Sequence, residues 1–383
     1  MRGHIRKRGT SWEIRAYAGA DPLTGRQTTV TRTIHGGKRD AENALAALLV
    51  EIGQGEHAAQ DATLGDLVVR WFETAKGDLS PTTRSGYHSK IETHILPQLG
   101  ALPLAKLKTA QLDAYYAKLR NSGAANGAPL APATVRQVHA IIRRALNQGI
   151  KWGWIPSNPA ALATPPKVVR EQFDLPSPDD LLRLLTMVEA TDPDMACFLL
   201  LSITTGARRS ELCGLRWKAV DLDAQSMTIG RAVVEDERGA LVEKGTKTHS
   251  IRRIALDAGS TEALIARRAK GEEIASQFGL ALTPDGYVFS NSPGSERPWE
   301  PTAVTKRFNK LRKQAGLSYF RLHDLRHFAA TRLLAAGVPV RTVSGRLGHA
   351  NAATTLGVYA HFVEASDREA AEVMGKMFRE RRK

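Results

Sequence analysis

The sequence predicts a mostly α-helical protein with small β parts, divided into three domains. The first 40 residues alternate apolar and polar positions, a pattern typical of half-buried strands. From residue 62 onwards apolar residues recur at helical spacing, and one β insertion interrupts the helices of the last domain. At 383 residues the chain is long enough for two or three domains.

Residues 1–55 are predicted to form a three-stranded antiparallel sheet followed by a helix. In "SWEIRAYAG", Trp12, Ile14 and Ala16 share one face, and "TTVTRTI" repeats the pattern after the turn signal "DPLTGR". "GHIRKRG" supplies the first strand, and "KRDAENALAALLVEI" supplies the helix. The basic, Thr-rich open face is expected to be a contact surface. A simpler interpretation is an edge sheet that Arg and Lys keep soluble.

Residues 62–155 are predicted to form a four-helix domain. Ser80 and Pro81 mark one helix start, and Gly123 marks one helix end. The first and last helices each carry an apolar stripe, formed by Leu64, Leu67, Val68, Trp71 and Phe72 and by Val135, Val138, Ile141, Ile142, Ala145 and Leu146. Three arginines lie off the last stripe, and the sequence leaves open whether they contact the backbone of a partner or only solvent: Arg136, Arg143 and Arg144.

A proline-rich stretch, residues 156–176, is predicted to be an interdomain linker. Residues 177–370 are predicted to form a larger, mostly helical domain, with Ser177 and Pro178 starting its first helix. Its β insertion consists of "SMTIGRAVV", a polar turn and "HSIRRIAL". Residues 371–383 are a C-terminal tail. The stretch "FVEASDREAAEVMGKMF" predicts an amphipathic helix, which either docks on a neighbouring subunit or folds back on its own domain.

Charge and composition favour a cytosolic protein with polyanionic partners. Lys plus Arg number 54 against 39 Asp plus Glu, a net charge of +15, which favours nucleic acid but also fits an ordinary basic protein. The two cysteines, Cys197 and Cys213, do not indicate a disulfide framework. The N-terminus lacks the apolar core of a signal peptide. No run reaches the roughly 18 apolar residues that predict a membrane span.

Two stretches of the last domain place cations at the ends of secondary structure. In "SITTGARRSELCGLRW" a helix ends at Gly206 and another begins at once, so Arg208 and Arg209 lie beside a helix N-terminus, which suits a phosphate. Taken alone, an arginine here is more simply explained as a partner of Glu211. Lys247 lies near the turn of the β insertion, where a solvated lysine is the simpler interpretation.

Two further stretches add titratable groups. In "RLHDLRH", His323 and Arg326 are three apart, so the imidazole can exchange a proton at an anion that the guanidinium holds. In "HANAATTLGVYAHF", a helix ends at Gly348, His349 follows it, and Tyr359 comes ten residues later. A zinc site explains these histidines less well, because no Cys or carboxylate lies at metal-ligand spacing.

Together these residues suit metal-free phosphoryl transfer. A phosphodiester needs bidentate clamps on its non-bridging oxygens, and arginine supplies them while remaining charged. Tyrosine can form a covalent phosphoryl ester, provided that a base or a positive field activates its phenol. The leaving 5′ oxygen needs a proton, which Lys or His can give. The combination predicts a protein–DNA covalent intermediate.

The order of the motifs "TGARRSEL", "KTHSIRRIAL", "HDLRH", "LGH" and "TTLGVYAH" resembles the tyrosine recombinases, the phage integrase family. The resemblance is close over the catalytic domain. It is looser over the four-helix domain, which is similar to the SAM-like core-binding domain, and over the N-terminal sheet, which is similar to an arm-type DNA-binding domain. Ala255 departs from the pattern, since the family usually has Pro there, and this casts little doubt on activity.

The resemblance implies a catalytic set. Tyr359 would attack the scissile phosphate and form a 3′-phosphotyrosine, Arg208 and Arg326 would clamp that phosphate, and Lys247 would protonate the leaving 5′ hydroxyl. Lys244 is a rival for this last role, but the distance of Lys247 to "RRIAL" fits better.

Two histidines complete the implied set. His323 would act as general acid/base, and His349 would hydrogen-bond the phosphate. Arg209 lies one place off the arginine of the family and is expected to be structural or to contact the DNA backbone.

The resemblance further implies a site-specific recombinase of a phage or another mobile element, acting on double-stranded DNA as a homotetramer with neither metal nor ATP. The extra N-terminal module favours an integrase that binds core and arm sites. An excisionase and a host DNA-bending factor are candidate accessory partners, and the site of action would be the nucleoid in the cytoplasm. The alternatives are a type IB topoisomerase-like enzyme and a catalytically silent DNA-binding regulator.

Overall fold

The computed structural model describes residues 3–20, 27–53, 62–168, 175–245 and 251–348, together with residues 371, 372, 374 and 375. The chain divides into two compact units, Met1–Arg170 and Glu171–Lys383. Helices dominate and the sheets are small, which confirms the predicted fold class. Within the residues that the structure describes, no helix has the length and apolar character that a membrane crossing requires.

The N-terminal sheet is antiparallel, with strands in the order β1 (Gly3–Arg8), β2 (Ser11–Ala20) and β3 (Gln27–His35). Helix α1 (Lys38–Gly53) covers one face, where Ile14, Ala16 and Val30 are buried against it, as the alternation predicts. On the other face Arg15 lies opposite Thr31. The turn signal at residues 21–26 lies outside the described residues.

The following helices are α2 (Leu64–Ala75), α3 (Pro81–Lys90), α4 (Leu96–Leu99), α5 (Thr109–Ser122) and α6 (Pro132–Lys151). A π-helical turn, Ile91–Ile95, joins α3 to α4, so helical structure is continuous through both. Both predicted apolar stripes are buried in one core, which also contains Ala160 and Ala163 from the proline-rich stretch. Ser80 caps α3, and its side chain accepts a hydrogen bond from the backbone of Thr83.

The second unit contains α7 (Pro178–Thr191), α8 (Pro193–Thr205), α9 (Arg209–Cys213), α10 (Ala258–Gln277), α11 (Pro301–Gln314), α12 (Asp324–Ala335) and α13 (Val340–Leu347). Ser177 caps α7 as predicted, with Pro178 in the first turn. The core of the unit centres on aromatic side chains, among which Phe198 packs edge-to-face on Phe289 with ring centroids 4.9 Å apart.

The β insertion is larger than the sequence pattern predicts. Its strands are β4 (Val220–Asp221), β5 (Ser226–Ile229), β6 (Arg231–Glu235), β7 (Leu241–Gly245) and β8 (Arg252–Ala255). The predicted pairing of "SMTI" with "RRIA" is present as β5 and β8. Strand β7, however, lies inside the stretch predicted as a polar turn and pairs with β6 in a separate two-stranded sheet. Among the described residues β7 and β8 belong to different sheets, and Lys247 falls between them in residues 246–250, outside that part of the chain.

Candidate active site

The break between α8 and α9 depends on Gly206. Its φ of 65° is left-handed, and a Cβ there would collide with Leu347 of α13. Because no side chain intervenes, the carbonyl of Gly206 is open to Arg326, whose Nη1 donates to it at 2.7 Å. The predicted helix end thus brings the first motif against α12 and α13.

Arg208 is the N-cap residue of α9, and three hydrogen bonds fix it. Its backbone N–H donates to Glu211 Oε2 at 2.8 Å, and its Nη1 donates to Glu211 Oε1 at 2.7 Å. Its Nη2 donates to the carbonyl of Gly348 at 3.2 Å. The side chain remains 24% exposed, so its outer edge is open to an anion. The sequence suggests pairing with Glu211 as the simpler interpretation of Arg208. That pairing is present, and it orients the guanidinium.

Glu211 is almost completely buried and serves two arginines. Its carboxylate also accepts Arg252 Nη2 at 2.6 Å and Nη1 at 3.2 Å. Burial opposes the charged form, but the hydrogen bonds and charge of Arg252, together with Arg208, hold the pKa of Glu211 below its usual value. The carboxylate therefore stays ionised and can act as a fixed anchor for both guanidinium groups.

His323 and Arg326 come from the start of α12. Arg326 is 4% exposed, whereas the ring of His323 keeps an exposed edge and lies 5.0 Å from the ring of His327. The protein around the ring, the neighbouring His327 and Arg326 lower the pKa of His323 to about 4. At neutral pH the imidazole is thus uncharged and can accept a proton.

A cavity of about 530 Å³ joins these groups. It is lined by five arginines and a histidine together with small and polar side chains, and none of the described lining residues is acidic: Ser202, Ala207, Arg208, Arg209, Ser210, Thr305, Asn309, Arg312, Arg321, Leu322, His323 and Arg326. Arg209 donates to the hydroxyl of Thr305 on its wall. The arrangement suits an anionic group such as a phosphodiester.

Of the six residues proposed from sequence, the structure brings Arg208, His323 and Arg326 together at this cavity. The other three, Lys247, His349 and Tyr359, lie outside the described residues. Gly348 ends α13, as the motif predicts, and its backbone is left-handed. Lys244, the rival of Lys247, lies on β7 opposite Ala232.

Sequence reasoning missed two groups that shape the site. Arg252 lies in "RRIAL", part of the second motif, but no local pattern distinguishes it from its neighbours. Asp324, inside the "HDLRH" motif, is the second group. It is 3% exposed and accepts the backbone N–H of Arg321 at 2.6 Å, which closes the turn that presents His323. Glu211 is different, because it lies three residues after the N-cap residue Arg208. An acidic residue at this position is a sequence signal for a capping box, and its side chain does accept the backbone N–H of Arg208.

We expect His323 to titrate well below the ordinary histidine range in the protein without DNA. Its neighbours disfavour the imidazolium, so protonation requires a lower pH, and the ring stays neutral from neutral pH down to the acid range. NMR titration of the imidazole C–H signals, assigned with a His323→Asn variant, measures this. A midpoint at or above that of a model imidazole would contradict the prediction.

Two family models match this chain. The model of the phage integrase family matches residues 177–365, and the model of the phage integrase N-terminal SAM-like domain matches residues 63–120. Together they cover more than half of the chain. The first match contains every residue of the candidate site.

Individual proteins match over most of the chain as well. The tyrosine recombinase XerC-like protein of Caldanaerobacter subterraneus is 26% identical over 362 residues, 89% of this chain and 90% of that protein. The integrase of transposon Tn1549, solved with transposon right-end DNA, superposes with a TM-score of 0.68 at 19% identity, over 82% of this chain and 99% of that one. A lambda integrase tetramer bound to a Holliday junction gives 0.55 at 20% identity, over 92% and 94%. These structural likenesses establish a common fold.

Proposed function

Because the chain belongs to the phage integrase family of tyrosine recombinases, we propose that it is a site-specific DNA recombinase that integrates and excises a mobile element. The observation that carries the proposal is the gathering of Arg208, His323 and Arg326 around one cationic cavity. A basic chain of net charge +15 suits a DNA substrate.

In this proposal the two arginines clamp the scissile phosphate. Arg208 reaches the cavity with its outer edge while Glu211 and Gly348 hold its inner edge. Arg326 is anchored on the Gly206 carbonyl. Both side chains are positioned before DNA arrives, so little reorganisation is needed when negative charge builds up on the phosphate oxygens in the transition state.

Tyr359 would supply the nucleophile. Its phenol oxygen bonds to phosphorus, its proton passes to the neutral imidazole of His323, and the bond from phosphorus to the 5′ oxygen breaks. Lys247 would give the leaving oxygen its proton, and His349 would hydrogen-bond the phosphate. The resulting 3′-phosphotyrosine retains the ester, so a 5′ hydroxyl of another strand can reverse the step without ATP.

The assembly follows from the same proposal. The lambda integrase that shares this fold was solved as a tetramer on a Holliday junction, which supports a homotetramer on two duplexes for this chain. The N-terminal sheet, with Arg15 on its open face, would bind arm sites, and the four-helix domain would bind the core site. Recombination would take place at the nucleoid, with an excisionase and a host DNA-bending factor as accessory partners.

The test is covalent capture on a nicked duplex that carries the attachment site of the element. Wild-type protein should give an adduct that resists SDS and forms in the presence of EDTA. Relaxation of supercoiled DNA without any defined site would favour the topoisomerase alternative. Binding to the attachment site with no adduct would favour the silent regulator.

A further inference from the structure

Arg252 is a buried arginine whose guanidinium joins three separate segments. Besides the two hydrogen bonds to Glu211, its Nε donates to the carbonyl of Arg346 at 2.9 Å. The residue is 7% exposed and lies at the start of β8. It therefore ties β8 to α9 and to the end of α13.

The end of α13 is shaped around this guanidinium. Gly348 has a φ of 68°, and a Cβ on it would lie 2.8 Å from Nη1 of Arg252. The carbonyl of the same glycine accepts Arg208 Nη2 at 3.2 Å. Two arginines thus hold the last turn of α13, immediately before the chain continues to His349.

Glu211 couples the two arginines. Its Oε1 accepts both Arg208 Nη1 and Arg252 Nη1, and its Oε2 accepts Arg252 Nη2. Arg252 therefore fixes the plane of the carboxylate, and that plane sets the direction in which Arg208 is held. A lysine at position 252 would keep the charge but lose the planar fork that makes these contacts together.

We propose that Arg252 is a positioning residue for DNA cleavage. It acts through Glu211 on the direction of Arg208, and through the Arg346 carbonyl on the end of α13. The inference rests on the proposed function, because the step that it serves is clamping of the scissile phosphate. The competing account is purely structural, with Arg252 serving only to neutralise a buried carboxylate.

The kinetic experiment compares Arg252→Met and Arg252→Lys with Arg253→Met under single-turnover conditions on the nicked attachment-site duplex. Arg253 is the matched control, because it follows on the same strand but is 62% exposed and pairs with Asp221. We expect Arg252→Met to cleave about 10- to 100-fold more slowly with unchanged DNA affinity, as is usual for misplaced catalytic groups. If Arg252→Met folds poorly in thermal melts, Arg252→Lys carries the comparison. Equal rates for the Arg252 and Arg253 variants would overturn the proposal.

A second readout does not depend on cleavage. In protein with ¹⁵N-labelled arginine and no DNA, the Nη–H signals of Arg208, assigned with Arg208→Lys, should be resolved by slow rotation of the held guanidinium. They should average in Arg252→Met and Arg252→Lys but persist in Arg253→Met. Unchanged Arg208 signals would leave only the structural account. If wild type forms no adduct, the proposed function fails, while this measurement still decides whether Arg252 holds Arg208.

Discussion

Replacing Tyr359 by phenylalanine is expected to abolish covalent capture of DNA while leaving the affinity for DNA unchanged. The phenol oxygen is the atom that we propose bonds to phosphorus, and phenylalanine keeps the ring without that oxygen. Removal of a nucleophile costs about 10⁶-fold in rate, so no adduct should stand above background. Denaturing gels of the nicked duplex measure capture, and mobility shifts measure affinity.

Tyr319 provides the matched control for this substitution. It is an exposed tyrosine of the same unit whose hydroxyl donates to Asp180 Oδ2 at 2.6 Å. Partial desolvation of the hydroxyl, together with its hydrogen bond to the Asp180 carboxylate and the charge of that group, raises the pKa of Tyr319 to about 12, which makes it a poor nucleophile. Tyr319→Phe loses one hydrogen bond and should still capture DNA at the wild-type level. An adduct that persists in Tyr359→Phe would assign the nucleophile to another residue.

The sequence predicted best those features that depend on neighbours along the chain. The stripe from Leu64 to Phe72 is set by helical spacing, and it is buried as predicted. Ser177 and Gly206 mark helix ends because a cap or a left-handed residue acts within one turn. The same locality let the motif around Arg208 be placed correctly at the break between two helices.

The features that the sequence did not reveal depend on distant pairing. The stretch "LVEKG" of β7 has two apolar and then two charged residues, so period-2 alternation is absent. It is a strand because it pairs with β6, where Val242 lies opposite Val234. The role of Arg252 likewise depends on Glu211, which lies 41 positions earlier in the sequence. The fold brings Arg252 Nη2 within 2.6 Å of Glu211 Oε2. No spacing rule connects two such positions.

The proposed clamp makes Arg326 the second position of large effect. Arg326→Lys is expected to slow cleavage about 10²- to 10³-fold, the usual cost of removing one group that stabilises transition-state charge. Lysine keeps the charge but cannot donate to the Gly206 carbonyl and to a phosphate oxygen from one rigid fork. Affinity for DNA should change little, since most of the binding energy comes from other backbone contacts. Single-turnover rates and mobility shifts on the same duplex measure the two quantities.

A lower rate alone does not separate clamping from folding, because Arg326 is buried and its loss also disturbs packing. Arg267 resolves this, since it is 6% exposed and donates to the carbonyls of Val288 and Ser290, each at 3.1 Å, but does not line the cavity. Each lysine variant loses hydrogen bonds to buried carbonyls and should be destabilised by about 1–3 kcal/mol. At a temperature where both are folded, only Arg326→Lys should cleave slowly. An equal loss of rate in Arg267→Lys would mean that Arg326 serves the fold and does not clamp the phosphate.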